Sequence, residues 1–339
     1  MSVPSCFYRY RDDLEAELKA TLAEKSSPLH DMMRYHLGWV DQKGQDLPSS
    51  GKLSRPTLCL LASEAVGGNW HVALPGAAAI ELVHNFSLIH DDIQDRSWER
   101  RNRPTVWKIW GDAQAINAGD AMYAIAQLSL LGLGDRGVPQ EKVVLLCQRL
   151  NLACLQLSQG QYLDLEYEKH LDIGTDPYLD MIDKKTACLF ETSLLFGAVL
   201  GTDNQDQISG LGSYGRDLGM AFQIHNDILG IWGEEEGDKE SPYTDIRNRK
   251  KTLPVIYAIE KAQGEDKASL IDIYTKADVS PEDIARVLDI LDRTNARDYT
   301  EQMRRQYHLQ SLEDLSTAGI PQSFEQELGE MAAYLLGEG

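Results

Sequence analysis

The sequence is short of several things that would each fix a class of protein. It is poor in positive charge: 33 Lys and Arg stand against 53 Asp and Glu, a net charge of −20. That balance argues against a phosphate-backbone grip on nucleic acid and against a basic face for anionic lipid. An anionic substrate must then be met by a few local cations or by a metal. Cysteine is scarce and odd in number. Cys6, Cys59, Cys147, Cys154 and Cys188 show no metal-ligand spacing, and several sit in apolar runs, so they read as buried thiols in a reducing compartment. Long apolar runs are missing too. The longest, SLLFGAVLG at 193–201, falls well short of the ~20 residues needed to cross a bilayer. The N-terminal stretch carries charges from the start and has no signal-peptide core. The expectation is a cytoplasmic protein with no stable membrane insertion.

What is present is an ordinary globular balance over 339 residues, 42% hydrophobic and 25% charged, enough for one large core or two modest ones. Helical periodicity runs through 8–24, 56–66, 74–95, 113–133, 141–165, 178–200, 208–231, 253–262 and 281–310, and sustained two-residue alternation is lacking. Loops are expected at 41–50, 134–139, 170–177 and 234–249. With no long linker and no repeat, the economical reading is an all-α fold in a single domain over 1–339.

The first informative cluster is HNFSLIHDDIQDRSWERRNRPTVW, residues 84–107. On a helix Asp91 and Asp95 are four residues apart and Asp92 is three before Asp95, so the three carboxylates project near one face. Like charges so placed repel unless a cation compensates. Hard oxygen ligands suit Mg²⁺, which bridges to substrate phosphates. Arg100 and Arg101 follow directly and offer guanidinium forks to phosphate oxygens. A solvated acidic helix end is the bland alternative for the aspartates alone. The apolar stretch AAAIELVHNFSLIH before them argues instead for carboxylates emerging from a buried helix.

At this point the residues resemble those of the trans-isoprenyl diphosphate synthases, the polyprenyl synthetase family, over nearly the whole chain. Asp91, Asp92 and Asp95 are similar to its first aspartate-rich region. Gly51, Lys52, Arg55 and Pro56 resemble its GGKRLRP segment, and His84 its histidine ahead of the aspartates. Asn117–Asp120 with Tyr123 resembles NAGDALYA, Gly160–Asp164 GQxxDL, and Lys185–Thr186 the KT pair. Phe222, Gln223 and Asp227 resemble the second aspartate-rich region, and Lys250–Pro254 KxTLP. The resemblance implies an isoprenoid synthase type I helical bundle around a central apolar cavity. It also implies a homodimer, a prenyl diphosphate substrate and three Mg²⁺ ions between two acidic helix faces. Arg100, Lys185, Gln223 and Lys250 would hold the allylic diphosphate. Lys52, Arg55, His84 and Arg101 would form a second pocket, for isopentenyl diphosphate; taken singly, each basic residue also reads as a surface charge.

Departures from the pattern shift the functional expectation. The second region reads NDILGIWGE, with Asn226, Asp227, Gly230 and Glu234. That spacing resembles the second metal motif of class I terpene cyclases, with water replacing the hydroxyl absent at Gly230; Asn226 as neutral drift is the alternative. The lysine segment is eroded to SGKLSRP, with Leu53 at a basic position, and DKESPYTD at 238–245 carries Glu240 where a lysine is usual, with Lys239 beside it. The C-terminal YLLGEG lacks a basic tail.

Two readings of the chemistry follow. The favoured one is a class I terpene-synthase-like enzyme that ionises one C15 to C20 diphosphate and yields a terpene, a diterpene hydrocarbon or alcohol. The alternative is a prenyltransferase that condenses isopentenyl diphosphate with an allylic primer, such as a geranylgeranyl diphosphate synthase. A silent partner subunit is a third reading, opposed by the intact Asp91, Asp92 and Asp95. In both enzymatic readings Asp91, Asp92, Asp95 and Asp227 are the catalytic carboxylates, joined as metal ligands by Asn226 and Glu234. Phe86 lies five residues before Asp91 with Ser87 beside it. By resemblance the pair bounds a C20 chain, and a core phenylalanine is the alternative. For Trp107, Trp110 and Trp232, core packing is weighed against a cavity wall.

Overall fold

The apolar periodicity is realised as helices along almost the whole chain in a computed structural model, which describes residues 3–23, 27–47, 51–233 and 243–338. In order these are α1 (Ser5–Ala23), α2 (Pro28–His36), α3 (Ser54–Ala65), α4 (Trp70–Gln94), α5 (Val106–Trp110), α6 (Asp112–Leu131), α7 (Gln140–Tyr167) and α8 (Thr175–Ile182). A π-helical turn at Asp183–Ala187 leads into α9 (Cys188–Gly201) and α10 (Gln205–Trp232). Then come α11 (Thr244–Arg247), α12 (Leu253–Lys261), α13 (Gly264–Thr275), α14 (Pro281–Arg293), α15 (Ala296–Thr317) and α16 (Gln322–Leu335).

The central helices are apolar on nearly every face because they are surrounded. α4 buries Ala77, Ala78, Ala79, Ile80, Leu82 and Val83, and packs against α3, α6 and α9. Its main core gathers Leu14, Leu58, Phe190, Phe196, Leu218 and Tyr214. Each fully buried Leu or Ile contributes about 1.5–3 kcal/mol by leaving water. A second core holds Ile246, Val255, Ile259, Val287 and Ile290. A third, with Tyr178, Met181, Ile224, Ile228 and Leu253, lies around the lower half of α10. α4 is long and apolar enough to cross a membrane by length and composition, but 78% of its apolar window is buried inside the protein. Its composition is that of a core helix.

Two details correct the sequence reading. The expected helix 178–200 is broken by the π turn at Asp183–Ala187, and 281–310 is broken at Asn295, whose φ is +54°. Second, Glu99–Arg100 (β1) pairs antiparallel with Arg103–Pro104 (β2). The hairpin turns through Arg101 and Asn102 at φ +53° and +57°, the left-handed pair that a two-residue turn requires. Core packing is as expected for the tryptophans: Trp107 and Trp110 pack partly buried against the main core, and Trp232 joins the two smaller ones. All five cysteines are unpaired, four of them buried.

Candidate active site

The last turn of α4 carries the first acidic set. Asp92 is buried, 1% exposed, and is gripped by Arg100 at the end of β1. The Nε of Arg100 donates to both carboxylate oxygens at 3.0 and 3.1 Å, and its Nη2 lies 2.8 Å from Oδ1. This fork fixes the hairpin to the helix. Asp91 and Asp95 lie on the neighbouring stripe, and among the described residues no hydrogen bond or ion pair claims either carboxylate. Asp91 is half-buried, and loss of hydration pushes it up to about 6; Lys185 opposes that rise, while Asp95 and Asp164 add to it. Lys185 is delivered by the π turn and donates to Asp164 Oδ2 of α7 at 2.5 Å. The turn sits that close because position 160 is glycine: a Cβ there would meet the Lys185 backbone nitrogen at 2.4 Å. Lys250 is exposed and also acts on the charge of Asp95. Its neighbour Lys251 is spent on the carbonyls of Tyr167, Glu168 and His170, which end α7.

The second acidic set behaves differently. Asp227 is 2% exposed and accepts from the Tyr178 hydroxyl at 2.6 Å, Gln223 Nε2 at 3.0 Å and the Leu253 amide at 3.3 Å. Burial pushes its pKa up to about 7 despite these donors. Gln223 spends the other end of its amide on Thr186, at 2.9 Å. Asn226, one residue before Asp227, is half-buried. Water does not replace a side chain at Gly230. A Cβ there would lie 1.9 Å from Asp245 Oδ2, so a carboxylate arriving on α11 already fills the space. Glu234, Lys239 and Glu240 lie outside the described residues.

Of the residues expected for a second pocket, Arg55, His84 and Arg101 come together near Arg100. Arg55 Nη1 lies 3.3 Å from His84 Nε2, and its guanidinium stacks on Phe190, 4.5 Å from the ring centroid. Desolvation lowers the Arg55 pKa to about 10. His84 is held well below its ordinary range by burial and by the charges of Arg55, Arg101 and Arg100. Lys52 is exposed ahead of α3. Glu81 lies beneath, buried and bonded to Asn85 at 2.7 Å. Sequence reasoning missed His36 and Arg103. Both line a cavity of about 50 Å³ with Arg100, Arg101 and Asp92. Arg103 is structural, donating to the carbonyls of Tyr35 and Val40. The density of arginines in 100–103 was the available signal. Ser87 is buried, 6% exposed, and its hydroxyl donates to the His84 carbonyl at 2.8 Å.

Among the described residues no three His, Cys, Asp or Glu side chains converge on one point as a ready-made metal cage. The donor set fits Mg²⁺ nonetheless: unspent hard oxygens of Asp91 and Asp95 stand beside cations suited to phosphate. Mg²⁺ is commonly bound by one or two carboxylates together with substrate phosphates.

Comparison with known proteins agrees with this geometry. The polyprenyl synthetase family model matches residues 38–291. A (2E,6E)-farnesyl diphosphate synthase of Mycobacterium tuberculosis is 37% identical over 320 residues, covering 93% of this chain and 88% of that protein. A polyprenyl synthetase structure from Streptomyces coelicolor superposes with a TM-score of 0.90 at 33% identity, covering 98% of each chain. A geranylgeranyl pyrophosphate synthase from Corynebacterium glutamicum, complexed with isoprenyl diphosphate and magnesium, gives 0.84 at 26% identity over the whole of both chains. These relatives overturn the terpene-synthase reading, and with it the diterpene and lyase expectations. The motif that suggested it was read from helical spacing, but Asp245 occupies the space at Gly230. With the fold, the aspartates and the relatives in agreement, the chain belongs to the polyprenyl synthetase family, the isoprenyl diphosphate synthases.

Proposed function

We propose that the protein is a trans-prenyltransferase that joins isopentenyl diphosphate to an allylic diphosphate. The carrying observation is the second cationic pocket, with Arg55 against His84 and Arg101 and Arg100 close by. A single-substrate enzyme gains nothing from keeping it. In the reaction the allylic C–O bond breaks and diphosphate leaves with the electron pair. The double bond of isopentenyl diphosphate attacks the allylic carbon, and the adduct loses a proton. Lys185 and Lys250 hold the allylic diphosphate, with Arg100 at its edge, and stabilise the charge that grows on it. Arg55, His84, Arg101 and Lys52 hold the second diphosphate in attack range. Magnesium, when bound, supplies further positive charge to the leaving group; the proposed complement is three ions between the α4 and α10 faces.

We further read residues 1–339 as one domain and the protein as a homodimer. Ile116, Leu128 and Leu131 of α6 and Val144, Leu152 and Leu155 of α7 are exposed, an apolar surface that a second copy would cover. The function is tested by Arg101→Met. The KM for isopentenyl diphosphate should rise about tenfold or more, the worth of one charge-assisted contact, with the KM for the allylic diphosphate unchanged. Equal rises in both would refute the two-pocket assignment.

A further inference from the structure

The π turn at Asp183–Ala187 is met by α10 along a single stripe. Arg216, Gly219 and Gln223 stand three and four residues apart on one helical face, and each addresses a different residue of the turn. Arg216 forks Asp183, its Nε donating to Oδ1 and its Nη2 to Oδ2, both at 2.6 Å. Gly219 lets the backbones touch, since a Cβ there would lie 2.6 Å from the Ala187 Cα. Gln223 Oε1 accepts from the Thr186 hydroxyl at 2.9 Å. From the other side Gly160 of α7 lies against the backbone of Lys185, whose ammonium reaches Asp164. The turn is pinned at 183, 186 and 187 by α10, and Lys185 projects towards α7. Of the three pins only the Arg216 fork carries charge, and it grips the first residue of the turn. Arg216 and Asp183 line a groove with Tyr307 and Asp314 of α15, which contains none of the candidate-site residues.

We propose that Arg216 is a positioning residue for the allylic diphosphate: its fork on Asp183 fixes the register of the π turn, and so the place from which Lys185 reaches the substrate. This rests on the reading of Lys185 as a diphosphate ligand. A π turn holds one residue more than an α-helical turn, so contacts from outside must choose where that residue is accommodated. A planar guanidinium bound through two parallel bonds makes that choice more sharply than a point charge can. An exposed ion pair ordinarily contributes little to stability, and the weight of this one lies in what it holds. Without the fork Lys185 samples more positions, and binding substrate must then order it. The effect falls on the allylic diphosphate, because Arg55, His84 and Arg101 sit on α3, α4 and the 99–104 hairpin, which the fork does not touch.

The test is calorimetric titration, with Mg²⁺ present, of an unreactive thiolo analogue of geranyl diphosphate and, separately, of isopentenyl diphosphate. Thermal melts serve as the folding control. Arg216→Met and Asp183→Asn should each weaken binding of the analogue about fivefold and leave isopentenyl diphosphate within about twofold. Arg216→Lys, a charge without a fork, should fall between Arg216→Met and wild type. Combining Arg216→Met with Asp183→Asn should weaken the analogue no further than either alone. In a Lys185→Met background, itself weakened, Arg216→Met should add nothing. Arg216→Met also takes a charge away from Glu191 and Asp217, whereas Asp183→Asn keeps that charge and the side-chain shape, so it decides the matter if Arg216→Met weakens the fold. The inference is overturned if Arg216→Met and Asp183→Asn weaken both ligands alike or leave the analogue unaffected. It is overturned equally if the Arg216→Met factor persists in full without Lys185, or if Lys185→Met binds the analogue as tightly as wild type. A protein with the expected binding pattern that makes no longer prenyl diphosphate from dimethylallyl and isopentenyl diphosphate refutes the prenyltransferase reading and supports this inference.

Discussion

The two ends of the site are built from the same side chain and use it in opposite ways. At the end of α4, Asp91 and Asp95 have no bond of their own among the described residues, and Asp91 is pushed up to about 6 by lost hydration. On α10, Asp227 is enclosed by Tyr178, Gln223 and the Leu253 amide. A carboxylate left unspent beside another needs a counter-ion from outside. One that accepts three hydrogen bonds in the interior is already at work, holding α8, α10 and α12 together. The comparison teaches that the same side chain in two family motifs can meet opposite surroundings, one left without partners and one enclosed by them. The first acidic region leaves two carboxylates unspent, whereas Asp227 of the second is enclosed by donors from three helices.

The contrast breaks most visibly at Asp91. Asp91→Ala should lower kcat/KM by roughly a thousandfold or more, the scale of losing transition-state charge stabilisation, while its melting curve stays near wild type. A variant that turns over normally would remove the α4 face from the chemistry. At Asp227 the weights reverse: Asp227→Ala strands three donors and should cost about 2–4 kcal/mol of stability. A denaturant titration reads this directly, and an unchanged midpoint with lost activity would move Asp227 to the ligand side. The smallest effect separates the two adjacent lysines. Lys251→Met removes a cap on three carbonyls and should cost about 1–2 kcal/mol without altering substrate KM. A raised KM would place Lys251 beside Lys250 in the diphosphate site.

Much of this was readable before any coordinates. Asp91, Asp92 and Asp95 are local in sequence, and helical spacing alone puts them on one face. The apolar run of α4 announces a core helix. The pairing of Arg55 with His84 followed from resemblance, since nothing in the sequence brings residue 55 to residue 84. What stayed hidden was set by long-range packing. The π turn that presents Lys185 to Asp164 depends on Gly160 of another helix. The hairpin at 99–104 has too few residues to show alternation. The largest misreading came from treating Gly230 as a vacancy, because the carboxylate that fills it belongs to residue 245.

The most direct measurement is product analysis of the purified protein with Mg²⁺ and farnesyl or geranylgeranyl diphosphate, run with and without isopentenyl diphosphate. The account predicts a prenyl diphosphate longer by five carbons or more when isopentenyl diphosphate is present, and no turnover of the allylic substrate in its absence. A terpene hydrocarbon or alcohol formed from the allylic diphosphate alone would contradict it.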